Sequence, residues 1–289
     1  MGNSGKSGPL QQEIDHVGRT LGIPPRPTIL SQLIYESQQP DVNFARVAQL
    51  ISSDVALAAT ILKTVNSPFY GLRSRISSIQ HALSHIGLET AAQMVAGLAL
   101  RNVFSAVGMH MDRFWDVSSR VALISSYLSR ELDLPRRDEF HTYGLFQDCG
   151  IPVLILRFPN YKETLALANS DSSRPFTTVE DSCHPTNHAV IGYLLAKSWG
   201  LSDELCKAIR MHHAGFPQLR AGGVPDVSRR LIAAGLLAER SLQTCFGQGQ
   251  TMEWEKDGEH ALVELGITET QFIEHLDAIR AQLDSGQSP

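Results

Sequence analysis

Apolar residues recur at the period of an α-helix along most of this chain, and this pattern limits the folds open to it. One apolar face runs from Phe44 to Ile51 in "DVNFARVAQLIS", and the next runs from Val55 to Val65 in "DVALAATILKTVNS". No run alternates apolar and polar residues with the period of two expected of a β-strand. The sequence therefore predicts an all-α protein built as two packed helical lobes.

Residues that cap or stop helices mark the boundaries of the predicted elements. Asp54 and Ser202 precede apolar helical patterns and can accept hydrogen bonds from the first turn. Gly87 is predicted to end a helix in left-handed geometry, and Gly200 is predicted to close another. The segment 138–158 is predicted as one helix, with Pro152 in its first turns or at a kink.

The pattern also divides the chain. Residues 1–20 are predicted as a flexible N-terminus and first helix, and "GKS" near the start lacks the strand and glycine spacing of a phosphate-binding loop. Residues 21–108 form the predicted first lobe, and residues 109–245 form the second. Residues 246–289 are predicted as a loop, spanning 247–260, followed by a C-terminal helix.

Charge and cysteine content limit the function. The net charge is −5 and no long basic run is present, so binding of nucleic acid is disfavoured. None of the four cysteines forms a C-x-x-C pair, and no apolar run is long enough to span a membrane. These features predict a reduced, cytoplasmic protein that does not enter a membrane.

The stretch "NSPFYG" is the most distinctive corner of the first lobe. It is explained most simply as a helix stop, because Pro68 prevents continuation and Phe69 then returns to the core. The alternative is a surface that docks a protein partner, because aromatic residues and arginine are frequent at interface hot spots. The residues of this candidate docking surface are Asn66, Phe69, Tyr70, Arg73 and Arg75.

Several phrases occur in an order that resembles a known family. They are "ISSDVALAATILKTVNSPFYG", "SSIQHALSHIGLETAAQMVAGLAL", "GLFQDCG" and "HAVIGYLLAKSWGLSDELCKAIRMHH". Together they resemble the HDOD family, a group related to the HD and HD-GYP phosphohydrolases, over residues 24–237. The resemblance implies that the second lobe is a degenerate HD-type helical bundle. It also implies a regulatory role in bacterial signalling.

The resemblance places the metal-site positions of HD phosphohydrolases on residues of this chain. Three positions that usually carry ligands fall on residues that are poor donors or none: Val117, Gln147 and Gly235. The remaining positions fall on residues that can still bind a metal: Asp148, His188, His212 and His213. These residues are interpreted as a vestigial site, because activation of water at a phosphate needs several fixed donors.

The surviving donors have structural explanations of their own. Asp148 and His188 can serve as hydrogen-bonded helix residues. His212 and His213 are adjacent and would point about 100° apart on a helix, so at most one is expected to face the vestigial site. Cys183 in "SCHPTNH" lacks the partners of a zinc site, and Cys149 is expected to be a buried, inert thiol.

The sequence therefore predicts a non-enzymatic signalling module without a cofactor, and without a metal. Its partner is expected to be a protein of a signalling pathway or a small signal molecule. The alternative is a degenerate metal-dependent phosphohydrolase acting on a nucleotide or a cyclic dinucleotide. That alternative requires a metal held by Asp148, His188 and His212 alone.

Overall fold

The computed structural model describes residues 22–39, 41–72, 74–106, 111–249 and 251–285, and these residues form helices and no β-strand. The all-α prediction is confirmed. The predicted flexible segment 1–20 and the candidate residue Arg73 lie outside the described residues. The helices are α1 (Thr28–Ser37), α2 (Phe44–Ser52), α3 (Val55–Val65), α4 (Ile79–Ala106), α5 (Asp112–Glu131), α6 (Arg137–Phe146), α7 (Gly150–Arg157), α8 (Tyr161–Ser170), α9 (Phe176–Cys183), α10 (His188–Trp199), α11 (Asp203–Met211), α12 (Phe216–Ala221), α13 (Asp226–Phe246), α14 (Glu253–Leu265) and α15 (Glu269–Ser285).

Two hydrophobic cores organise these helices. The first lies among α1 to α4 and includes Leu33, Val47 and Ile61. The second includes α4 from residue 96 onward and extends through α5 to α15, where Phe272 is buried; Ile23, Leu30 and Phe69 also belong to it. Helix α4 contributes to both cores, so the two lobes share one helix. The predicted lobe boundary near residue 108 stays a prediction.

The predicted caps Asp54 and Ser202 are confirmed by backbone hydrogen bonds, and the structure shows further caps at Asn43 and Thr268. The side chains of Asn43, Asp54 and Ser202 each accept from the N–H three residues later, at 3.0, 3.0 and 3.2 Å. Gln271 accepts from the N–H of Thr268 at 2.9 Å, and the Thr268 hydroxyl accepts from the N–H of Gln271 at 3.3 Å. This reciprocal capping box starts α15.

The predicted apolar faces of α2 and α3 are too wide, and the predicted end at Gly87 has a different geometry. Phe44 is 43% exposed and Val55 is 80% exposed, because each begins its helix at the edge of the core. Gly87 has φ 78° and ψ 169°, a positive-φ conformation that is essentially restricted to glycine and differs from the left-handed helical one. The chain bends there and continues in the second part of α4.

Two further segments differ from the prediction. The predicted single helix over 138–158 is two helices, α6 and α7, separated by residues 147–149. Pro152 is the third residue of α7, where a missing N–H breaks no helical hydrogen bond. The predicted loop over 247–260 ends at 252, because α14 begins at Glu253.

Within the described residues, no single helix has the length and apolar character needed to cross a bilayer. The pair α2 and α3, bent by 113°, meets that criterion only when its two helices are taken together.

Candidate functional site

The second lobe brings four potential metal ligands together from three helix ends. Asp148 lies in the break between α6 and α7, and His188 is the first residue of α10. His212 and His213 follow the last residue of α11. A Cβ placed on Gly150 would lie 2.1 Å from the carbonyl oxygen of His188, so only glycine allows this close crossing. The crossing places Asp148 beside His188.

The distances within this group are those of a compact ligand cluster. His188 Nε2 lies 3.1 Å from His212 Nε2, and each of these nitrogens lies 3.5 Å from Asp148 Oδ1. One donor atom from each of Asp148, His188, His212 and His213 falls within 4.8 Å of the others. We call these four residues the Asp–His cluster. The prediction that only one of His212 and His213 faces the site is wrong, because α11 ends at Met211 and helical spacing does not apply beyond it.

Hydrogen bonds outside the cluster fix the tautomers of two imidazoles. His188 Nδ1 lies 2.7 Å from Glu180 Oε2, and His212 Nδ1 lies 2.8 Å from the carbonyl oxygen of Ile209. A carbonyl oxygen only accepts, and so does the Glu180 carboxylate, so both Nδ1 atoms carry hydrogen. In the neutral rings both Nε2 atoms then present lone pairs to each other and to Asp148. These three acceptors require a cation between them.

In the absence of a metal, a proton on His212 meets this requirement. Burial lowers the pKa of His212, but the hydrogen bond and negative charge of Asp148 outweigh it, so its pKa is raised. Burial raises the pKa of Asp148, but the hydrogen bond and charge of His212, with the charges of His188 and His213, hold it well below its usual range. Both shifts favour the carboxylate form of Asp148 and the imidazolium form of His212.

His213 completes the cluster as a neutral ring. Burial and the positive charge of His212 lower the pKa of His213 to about 4, against the opposing charge of Glu253. Its Nδ1 lies 2.7 Å from Glu253 Oε2, and its ring stacks on Phe176 with centroids 4.8 Å apart. The Nδ1 hydrogen faces Glu253, so Nε2 keeps a lone pair.

The donor set fits one borderline divalent ion such as Zn²⁺. Zinc binds imidazole nitrogen and carboxylate oxygen at about 2.0–2.2 Å, which separates neighbouring ligand atoms by about 3.3–3.5 Å. The separations among Asp148, His188 and His212 are 3.1 and 3.5 Å, close to this range. Glu180 orients His188 from outside, as outer carboxylates do in zinc proteins. No metal was expected because the surviving ligands were taken to be scattered. The structure instead brings their donor atoms together.

Protein atoms fill the positions of two lost ligands. Gln147 donates through Nε2 to Glu239 Oε1 and, at 3.4 Å, to Asp148 Oδ2. A Cβ on Gly235 would lie 2.6 Å from both Gln147 Oε1 and the Tyr143 ring. The cavity beside them has a volume of about 20 Å³, enough for one water molecule.

The other predicted site residues lie outside the cluster. Val117 lies on α5 beside Gly249. His184 is hydrogen-bonded to Thr164 at 2.9 Å. Burial raises the pKa of the Cys149 thiol well above its usual value, which agrees with the predicted inert thiol.

Three carboxylic acids of the site were missed by sequence reasoning. Glu180 and Glu253 orient His188 and His213, and Glu239 binds Gln147. Burial and the charges of Asp148 and Glu253 raise the pKa of Glu239 well above its usual value. In the sequence, the one available indication of these roles was Glu180, eight residues before His188. That spacing matches no recognised ligand motif.

In the "NSPFYG" corner, Asn66 and Phe69 have structural roles. Asn66 donates to the carbonyl oxygen of Ile76 and accepts from its N–H, both at 2.7 Å, so it clamps the following loop. Phe69 is 3% exposed, as predicted, and packs edge-on against Tyr127. Among the candidate docking residues, Arg75 is exposed and Tyr70 is half-buried.

Comparison with known proteins identifies the family. The HDOD domain pattern matches residues 23–215, about two thirds of the chain. The chain belongs to the HDOD domain family. A protein of Treponema pallidum (strain Nichols), described as uncharacterized, is 26% identical to this HDOD protein over 227 residues. That match covers 78% of this chain and 43% of the relative.

A second relative is the cyclic di-GMP phosphodiesterase CdgJ of Vibrio cholerae, which is 31% identical over 84 residues. That match covers 29% of this chain and 19% of CdgJ. This HDOD protein thus aligns with less than half the length of either curated relative.

Solved structures share the fold. An HDOD domain protein with unknown function from Geobacter sulfurreducens has a TM-score of 0.67 and 21% identity, with 96% of this chain and 99% of that chain covered. A protein from Marinobacter aquaeolei VT8, provisionally named for signal transduction, has a TM-score of 0.65 and 22% identity, with 96% and 64% covered. At this identity the likeness establishes the helical architecture.

Proposed function

We propose that this HDOD protein is a non-enzymatic regulatory module of bacterial signalling that binds a protein partner or a small signal molecule. One observation carries the proposal: Tyr143 and Gln147 fill the space at Gly235, where an HD phosphohydrolase would place a ligand. The cavity that remains there holds one water molecule. A hydrolase needs an open metal position and room for its substrate, and neither is provided at this point.

The descriptions of two similar proteins support a signalling role. The Marinobacter protein is provisionally named for signal transduction, and CdgJ, which shares a short stretch with this chain, is a cyclic di-GMP phosphodiesterase. The HDOD frame is kept here while three ligand positions are changed to Val117, Gln147 and Gly235. Retention of the frame with only part of the ligand set is the pattern expected of a module that binds rather than hydrolyses.

The second candidate is a degenerate phosphohydrolase, and the Asp–His cluster is the observation that favours it. Asp148, His188 and His212 are spaced to hold one ion. An ion held there would supply Lewis acidity and a more acidic bound water. Within the part of the chain that the structure describes, no second group of metal ligands is found, which leaves little to hold a phosphate in place.

The deciding experiment measures hydrolysis with added Mn²⁺ or Zn²⁺. Wild-type protein and Asp148→Ala are incubated with cyclic di-GMP, a mononucleotide and p-nitrophenyl phosphate. We expect product formation by wild-type protein no faster than by Asp148→Ala. Turnover by wild-type protein that disappears in Asp148→Ala would overturn the non-enzymatic proposal.

The partner is tested separately by affinity capture from cells that produce the protein. Arg75→Ala removes an exposed cation of the candidate docking surface, and Arg157→Ala removes an exposed cation elsewhere as a matched control. We expect a protein that is captured by wild type and Arg157→Ala but lost with Arg75→Ala. Identical captured sets from all three proteins would exclude this corner as the docking surface.

A further inference from the structure

A second site lies at the junction of the two cores. A cavity of about 520 Å³ is enclosed by α3 and α4 on one side and by α5, α6 and α15 on the other. Its volume falls within the range of about 300–1,000 Å³ found for small-molecule sites. The residues of the Asp–His cluster do not line it. It is therefore distinct from the site described above.

The lining of this interlobe cavity carries more positive than negative charge. It includes the cations Lys63, Arg101 and Arg120 and one carboxylate, Asp116. Asp116 is occupied by Arg120, whose Nε lies 3.0 Å from its Oδ2. Arg101 reaches only Asp112, at 3.7 Å with both side chains more than half exposed. The chain as a whole has a net charge of −5, so this positive charge is a local feature.

Three residues that line the cavity also carry buried polar atoms. Trp115 Nε1, His141 Nδ1 and Ser67 Oγ have no hydrogen-bond partner among the described residues. Trp115 and His141 are 3% and 7% exposed. An indole N–H only donates, and a buried donor without an acceptor costs free energy. Because protein encloses these atoms, the groups open to a negatively charged ligand in the cavity are the exposed cations Lys63 and Arg101.

The rest of the lining is apolar. Ile61, Phe69, Leu98 and Leu145 cover both sides of the cavity. We infer that the interlobe cavity binds a small organic anion, whose carboxylate or phosphate lies against Lys63 and Arg101 and whose apolar or aromatic body lies against these side chains. This inference deepens the proposed function, because it gives the small signal molecule a site and a chemical class.

The binding test compares a charged and an uncharged probe of similar shape. The probes are 8-anilino-1-naphthalenesulfonate, an aromatic anion, and N-phenyl-1-naphthylamine, its uncharged relative, each titrated by fluorescence. We expect saturable binding of one anion per chain, with an affinity for the uncharged probe at least about tenfold weaker. Displacement by 1-naphthoate and by 1-naphthyl phosphate then distinguishes a carboxylate ligand from a phosphate ligand.

Variants locate the binding. In Lys63→Gln/Arg101→Gln the dissociation constant of the anion should rise about tenfold or more, while that of the uncharged probe stays unchanged. The control Lys162→Gln/Arg157→Gln removes two exposed cations elsewhere and should leave both constants unchanged. Melting temperatures of both variants check that they are folded.

Three outcomes overturn the inference. They are no saturable binding, equal weakening in the control variant, and equal affinity for the two probes. None of these outcomes changes the non-enzymatic proposal, which depends on turnover. Conversely, turnover that depends on Asp148 would reject that proposal and leave an anion site at Lys63 and Arg101 intact.

Discussion

At the scale of single residues, the need of the Asp–His cluster for a cation follows from which ring nitrogens carry hydrogen. Ile209 and Glu180 take the Nδ1 hydrogens of His212 and His188, so both Nε2 lone pairs face Asp148. Three acceptors at 3.1–3.5 Å repel one another unless a positive charge lies between them. A proton on His212 or a bound divalent ion provides that charge, and the two compete for the same lone pairs.

We predict that the protein binds one Zn²⁺ and that Glu180 strengthens the binding from outside. Asp148→Ala should abolish stoichiometric binding. Glu180→Gln keeps every ligand but removes the charge behind His188, so affinity should fall about 10–100-fold. Competition with a chromophoric chelator measures the constant, and Glu163→Gln on exposed α8 is the matched control. Equal affinities for Glu180→Gln and wild type would contradict the assigned role of Glu180.

We also predict that Phe69→Ala lowers the free energy of unfolding by about 3–5 kcal/mol. The ring is 3% exposed and packs against Tyr127, so its loss leaves a cavity in the second core. Phe44→Ala, which truncates a ring that is 43% exposed, should change stability by about 0.5 kcal/mol or less. Urea titrations compare the two variants, and similar losses in both would contradict this account.

The sequence predicted which residues survive at the site better than it predicted how they meet. Asp148, His188 and His212 were predicted as the surviving ligand positions, and the structure brings their donor atoms together. The approach of His213 depends on α11 ending one residue before His212, and an end without a glycine or proline leaves no local mark. The roles of Glu180 and Glu239 depend on contacts between helices far apart in sequence, which periodicity does not reveal.

At the scale of helices, breaks position the functional groups. The break at 147–149 turns the chain between α6 and α7 and places Asp148 beside α10. A continuous helix over 138–158 was predicted because its apolar period is uninterrupted, whereas the break is set by the crossing of Gly150 over His188. Helix caps such as Asp54 were predicted well, because a cap is made by residues three apart in sequence.

Gly87 provides a test of the bend in α4. Its φ of 78° and ψ of 169° lie in a region that is essentially restricted to glycine, and an added Cβ would meet no atom within 4 Å. Gly87→Ala should therefore cost about 1–3 kcal/mol through backbone strain alone. Gly247→Ala, in left-handed helical geometry without a nearby atom, should cost about 1 kcal/mol. Denaturant midpoints of the pair measure the difference, and a larger loss at Gly247 would contradict the assignment.

At the scale of the whole molecule, α4 contributes to both cores, and the interlobe cavity lies between them. The all-α architecture could be predicted because nearly every segment carries its own helical period. Helix α15 joins the second core and contacts residues 68–70, which are far away in sequence, and helical periodicity does not reveal such a contact. The hydroxyl of Tyr127 in α5 lies 3.1 Å from Nδ1 of His275 in α15.

The last prediction concerns removal of the C-terminal helix. Deletion of residues 268–289 removes Phe272, Ile279 and Leu283, which are 3%, 0% and 6% exposed. Burial of three such side chains contributes about 5–9 kcal/mol, which is comparable with the whole stability of a domain, about 5–15 kcal/mol. We therefore expect the shortened protein to lose its cooperative thermal transition, measured by circular dichroism. Ile273→Ala, which truncates a residue of α15 that is 54% exposed, should melt like wild type. A shortened protein with an unchanged melting temperature would show that α15 is an appendage and that the second core is complete without it.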